Sequence, residues 1–268
     1  MKTKFFMLMS TVTICLMFNV APTSVKAANI KLPQKYTNHL VYKASRNDKQ
    51  AINKLRTISR QGMKNNNDWQ DFKPGDDMTV NPAHLSKKDQ LEMQQYCLNL
   101  INKVRSQRHR VKWRSSNRAT HFANSVAHNY YVDNMSCWDD DHDVKGILKA
   151  AKKHGLNYHL GQVYEDEAGL PITNPKNHLE TKTQLKKDLY FNIKQMLFGG
   201  FYGNNTDNLS RYFEYAHARD LLSLGENKQF ARREFGLSFS GLKNNPTRVS
   251  VHMLGVPKPY IQNYKKFK

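Results

Sequence analysis

Acidic residues are scarce in this chain of 268 residues: 22 Asp and Glu stand against 42 Lys and Arg, a formal net charge of +20. An excess of this size favours polyanionic partners (nucleic acid, anionic lipid, anionic cell-wall polymer) through a sequence-independent attraction, and it is silent about fold and catalysis. Long hydrophobic runs are missing beyond the first residues, and the mean hydropathy of −0.75 excludes a polytopic membrane protein. At 39% hydrophobic and 11% aromatic residues the chain is too rich in Tyr and Phe to be wholly disordered. No glycine-rich phosphate loop, nucleophile elbow or His-Glu-x-x-His helix is present, so the easily recognised enzyme classes drop out. Helix-turn-helix, zinc-finger and ribonucleoprotein signatures are absent too, which argues against specific nucleic-acid recognition. There is no internal repeat.

What is present begins with an address. Lys2 and Lys4 precede an apolar run from Phe5 to Met17, followed by Asn19, Pro22 and a small-residue site at Val25 to Ala27, the order of a secretory signal peptide over residues 1–27. Ser10, Thr11 and Thr13 interrupt a run already short of the ~20 residues that span a bilayer, so an uncleaved anchor is the weaker reading. Cleavage would remove three lysines and no acids, leaving a secreted chain of net charge +17 with no transmembrane anchor. Ile14 before Cys15 argues against a lipoprotein anchor, and the end of the chain shows no wall-sorting motif. The expected location is extracellular or cell-surface associated. Of three cysteines, Cys97 and Cys137 then remain; in an oxidising compartment they could pair, and both a disulfide and two free thiols stay open.

Residues 28–82 are polar and loop-rich, with one amphipathic helix suggested by Ala51, Ile52, Leu55 and Ile58, and are expected to form an extension packed partly on the main domain. The main domain, 83–257, opens with a capping signal at Ser86 and Asp89 before an apolar stripe through Met93, Cys97, Leu100, Ile101 and Val104. Further helices are expected over 117–133, from Val144 to a stop at Gly155, around Leu185 to Leu197, and from Phe213 to Leu222. Phe235, Leu237 and Phe239, then Val249, Val251 and Met253, alternate as two strands of a hairpin. Helices followed by an antiparallel hairpin give an α+β class, and 258–268 is a basic tail.

The dense acidic run from Asp139 to Asp143 lacks the glycine and distal Glu of a calcium loop, and is better read as a solvated loop or the acidic flank of the next helix. His142, Glu165 and His217 are the candidates for a cleft, with Glu167 two residues beyond Glu165. A His, Glu, His set gathered in one place suits a zinc-like divalent ion, with His142 and His217 as ligands, or an acid/base pair.

The order of these signatures resembles the CAP superfamily, the SCP-like domain of cysteine-rich secretory, antigen and pathogenesis-related proteins. The helix through Asn102 and Arg105 resembles its opening Asn-x-x-Arg helix, and Val111 to Trp113 its Leu-x-Trp segment. His142 takes the place of the first cleft histidine, Tyr164 to Asp166 resembles the Gly-Glu-Asn motif, and His217 to Leu222 the Gly-His-x-x-Asn-Leu motif. Ile30–Pro33, His142–Gly146 and Ala150–Leu156 further resemble the surface-exclusion domain of Gram-positive cell-surface proteins. The resemblance implies an α/β/α sandwich, helices on both faces of a small antiparallel sheet, and a surface role that limits mating contact between plasmid-bearing cells. Its departures are Tyr164 for Gly, Asp166 for Asn, Ala216 for Gly, Asp220 for Asn, and no second cleft glutamate around Asn192 to Phe198. The function that follows is a secreted binding protein held near anionic wall polymer or envelope by its charge. A metal-assisted hydrolase with Glu165 as base and a non-specific extracellular nucleic-acid binder are the alternatives.

Overall fold

The computed structural model describes residues 28–71, 73–139, 141–172, 178–200 and 207–268. Residues 1–27, where the sequence leads one to expect a signal peptide, lie outside the described residues, as does Phe72. The helices are α1 (Asn38–Ala44), α2 (Lys49–Asn65), α3 (Lys87–Gln107), α4 (Asn117–Asp133), α5 (Val144–Lys153), α6 (Lys182–Phe198), α7 (Ala216–Leu221) and α8 (Lys228–Ala231). The strands are β1 (Thr79–Val80), β2 (Arg114–Ser115), β3 (Glu165–Pro171), β4 (Glu180–Thr181), β5 (Arg233–Ser240) and β6 (Arg248–Pro257). None of the described helices is long and apolar enough to cross a membrane.

The central sheet has the order β2-β5-β6-β3: β3, β6 and β5 run antiparallel, and only the two-residue β2 joins parallel to β5. Side chains alternate across it. Phe235, Leu237, Phe239, Val249, Val251 and Met253 enter one core with α1, α2, α3, α6 and α7. The opposite side of β6, through Leu254 and Val256, packs with α4, α5, Tyr164 and Phe267 in a second core. The molecule is therefore an α+β three-layer sandwich with the sheet between two helical layers. Residue size sets how close the layers come. A Cβ on Gly236 would meet the Ala119 backbone carbonyl at 2.2 Å, so α4 lies directly on a strip of β5 where only a hydrogen fits.

Local signals fix several helix ends where the spacing predicts them. Ser86 caps α3 by accepting from Asp89 N–H, Ser116 caps α4, and Asp143 caps α5, which makes the last acid of the acidic run a helix cap. The N-terminal stretch holds two helices rather than one, and its Ile30, Tyr36, Val41, Leu55 and Met63 belong to the first core. Trp69 is docked, its Nε1 donating to the Tyr96 hydroxyl at 2.8 Å. At the other end Phe267 is fully buried in the second core. The fifth expected helix is shorter than its pattern: it starts at Ala216, not Phe213. Phe213 N–H bonds instead to Gly199 O, and the hydroxyl of Tyr215 lies 3.2 Å from Ser59 Oγ, contacts made outside the helix. Cys97 and Cys137 are both free thiols. Cys97 lies on α3 in the first core, while Cys137 follows α4 and opens onto the cleft described next.

Candidate functional site

The cleft is built where β3 emerges beside the loop between α4 and α5. Successive residues of β3 face opposite ways, so Glu165 and Glu167 turn together toward α4 while Ala168 and Leu170 join the first core. Tyr130 of α4, buried, donates its hydroxyl proton to Glu165 Oε2 at 2.7 Å and accepts the Asp143 N–H at 2.9 Å. That second bond ties the start of α5, and with it His142, to the wall of the site.

His142 Nδ1 stands 2.8 Å from Glu165 Oε2 and 3.6 Å from Glu167 Oε2. From β6, His252 brings its Nδ1 to 2.7 Å from Glu165 Oε1, while its Nε2 meets Ser240 Oγ at 2.8 Å. The His252 ring packs on that of Tyr130, centroids 4.4 Å apart. Gln162 completes the frame, accepting the N–H groups of Tyr164 and Glu165 and donating to the Glu165 carbonyl. Burial alone would raise the Glu165 carboxyl, but hydrogen bonds from His142 and His252 outweigh it and hold the group down at about 2. The same carboxylate raises His142 above its ordinary value against the opposing effect of burial.

Glu167 is the contrasting group. Burial first, and the neighbouring Glu165 charge second, push its carboxyl up to about 7, and its Oε1 is buried with no hydrogen-bond partner among the described residues. The ionised form is disfavoured only in the folded state. This group therefore contributes stability below its unfolded value near 4.5, and that contribution is lost as pH rises through about 7. Calorimetric Tm should accordingly fall between pH 5 and pH 7.5, and Glu167→Gln should flatten part of the decline. Asp188, which burial also pushes up to about 7, supplies another part. A Glu167→Gln profile parallel to wild type would place the slope elsewhere.

The cleft above these groups has a volume of about 600 Å³ and is lined by His142, Glu167 and His217, with Trp138 and Phe213 partly exposed at 44% and 41%. A Cβ on Gly169 would stand 2.6 Å from the Trp138 ring, so that ring rests on bare β3 backbone. His217 is held as His142 is, by a carboxylate on Nδ1: Glu214 Oε2 at 2.8 Å. The structure thus brings His142 and Glu165 into contact and sets His217 on the same cavity. Asn192 and Gln195 line the cleft from α6, where the resemblance would put a second glutamate. The carboxylates come instead from Glu167 and Glu214. Burial, with Glu167 next, raises the Cys137 thiol to about 12, which keeps it protonated and un-nucleophilic.

A divalent ion has donors here. One donor atom from each of His142, Glu165 and Glu167 lies within 4.8 Å of the others. His217 is outside that set. Glu165 already has both oxygens engaged by three donors, so it orients rather than ligates, while the orphaned oxygen of Glu167 is one that a cation would satisfy. The residues fit an ion held by His142 and Glu167, which when bound would polarise a substrate oxygen or activate water.

Glu167, His252 and Tyr130 are the site residues that sequence reasoning left unassigned. The only available signal for His252 was a histidine in the middle of a largely apolar strand, between Val251 and Met253.

This three-layer arrangement, with its cleft histidines beside the β3 acids, is a CAP-like fold. A solved structure described as the CAP domain of Enterococcal PrgA superposes with a TM-score of 0.65 at 23% identity, over 88% of this chain and 88% of that one. No family model matches the sequence, and no curated protein matches it.

Proposed function

We propose that this protein is a secreted binding protein of the cell envelope. Its cleft takes a ligand beside Trp138, Phe213 and the two histidines, and its positive charge keeps it against anionic wall polymer or envelope surface. The observation that carries the reading is the state of Glu165. The carboxylate that the motif nominates as a base is fully buried, holds a depressed pKa, and accepts from Tyr130, His142 and His252 at once. A carboxylate so engaged has no capacity to take a substrate proton; it fixes the shape of a pocket. Limiting contact between mating cells, as the surface-exclusion resemblance implies, is the role such a protein would serve there.

Retention on cells tests the reading. Between 0.01 M and 1 M salt the screening length falls from about 30 Å to about 3 Å, so the protein should stay on washed cells at the low value and leave at the high one. Equal release at both would end it.

One observation favours a second reading. Glu167 offers an oxygen with no partner where both oxygens of Glu165 are engaged, so a metal-assisted hydrolase would hold its ion with His142 and Glu167 rather than use Glu165 as base. Peptide hydrolysis that disappears in Glu167→Gln while ligand binding persists would support it.

A further inference from the structure

A separate cavity of about 500 Å³, where β2, the start of α4 and the start of β5 meet the C-terminal segment, has walls made largely of cations. Arg114, Arg232 and Lys258 line it and are exposed, and among the described residues none of the three side chains has a hydrogen bond or ion pair. Two further arginines are fixed in place. Arg118 forks onto Glu234, with Nε to Oε2 at 2.9 Å, and lies over the rings of Tyr264 and Phe267 at 5.9 and 5.3 Å. Arg233 is only 2% exposed; Asp220 and Glu226 pair with its terminal nitrogens, and its Nε is buried without a partner. Glu234 is the one carboxylate in the wall. With Glu234 set against Arg118, and both Asp220 and Glu226 against Arg233, the five cations keep an excess of two positive charges, carried by three exposed side chains that converge on one concavity.

Arginine forks match phosphate oxygens two at a time, and a lysine adds a movable point charge. The volume admits a phosphate together with the groups on either side of it. We propose that this cavity is a phosphodiester-binding site through which the protein grips a polyol-phosphate polymer of the envelope. The identity of the polymer rests on the envelope-retention reading; the anion site rests on its own charge and geometry. It differs from diffuse surface charge in having a preorganised floor, Arg118 and Arg233, beneath three exposed cations that have no hydrogen bond or ion pair among the described residues.

The test titrates the full chain with poly(glycerol phosphate) at about 0.15 M salt, with phosphatidylglycerol vesicles as the second arm. Arg114→Gln/Arg232→Gln is compared with Lys54→Gln/Lys87→Gln, which removes the same charge from exposed lysines that do not line the cavity. Charge-assisted hydrogen bonds of ordinary strength predict that the cavity variant binds the polymer at least ~10-fold more weakly, and the control less than ~3-fold. Vesicle binding should fall to the same small extent in both. Equal weakening of polymer binding by the two variants overturns the site and leaves charge-driven retention standing. A cavity effect seen on vesicles and not on polymer overturns the polymer assignment in favour of a lipid headgroup. Absence of wild-type binding in both arms overturns both the site and the retention reading.

Discussion

Replacing Arg105 by alanine is expected to cost ~3–5 kcal/mol of folding stability, the scale for emptying the site of a large buried side chain and leaving its hydrogen-bond acceptors unpaired. Arg105 is fully buried on α3, yet no carboxylate bonds to it among the described residues; its guanidinium is spent on the backbone. It donates to Val111 O at 2.7 Å, to Ala231 O at 2.8 Å, to Leu221 O at the end of α7, and to Ser223 Oγ at 3.1 Å. The group lies 4.7 Å from the Trp113 ring, which Arg233 also covers at 5.2 Å. One turn earlier Asn102 brackets Trp113, accepting its N–H at 2.8 Å and donating to its carbonyl at 3.1 Å. The Asn-x-x-Arg helix and the tryptophan segment are thus two halves of one clamp, joining α3 to the chain before β2 and to the end of α7. Alanine would leave buried carbonyls without donors and a void against the tryptophan. Lysine, keeping the charge without the fork, should recover only part of the loss. Urea titration measures both; an Arg105→Ala shift below about 1 kcal/mol would mean that the clamp carries no weight.

Glu165→Gln should cost ~3 kcal/mol at neutral pH, because an amide cannot accept from Tyr130, His142 and His252 together and turns an NH2 toward one of those donors. The pH dependence identifies the cause. Interactions with the two histidines depress the folded-state carboxyl to about 2 from an ordinary 4.5. The stabilisation is therefore present above 4.5 and lost as pH falls toward 2. The gap between wild type and variant should be wide at pH 7 and close between pH 4.5 and pH 2, read from urea midpoints. A gap that stays constant would show that Glu165 acts through packing alone. Glu165 and Glu167 thus contribute at opposite ends: one loses stability toward acid, the other as the solution passes neutrality.

Much of the frame was legible from short-range pattern. Apolar spacing and caps located α3, α4 and α5, and the alternation of Phe235, Leu237 and Phe239 with Val249, Val251 and Met253 located β5 and β6. The cleft was legible in part. The motif order nominated His142, Glu165 and His217, and the structure puts the first two in contact and all three on the lining of a single concave region between β3 and α7. His252 was not legible, because alternation marks it only as the residue opposite Val251 and Met253. A strand with one apolar face leaves open whether the other face meets water. Here α4 covers that face, and a histidine that would otherwise be solvated becomes the buried donor that keeps Glu165 ionised. The cationic cavity escaped for a related reason, since Arg114, Arg232 and Lys258 are far apart in the chain.

By itself, then, the sequence determined α2 to α6, the hairpin, the sign of the charge and part of the set of residues able to do chemistry, because each of these is set by neighbours within a few turns or by simple counting. Only the tertiary structure decided which carboxylate is locked and which is left with a free oxygen, and where the unpaired cations converge. Those outcomes depend on burial and on contacts between residues more than 20 positions apart, as between His142 and Glu165 or Glu165 and His252, with separations of 23 and 87.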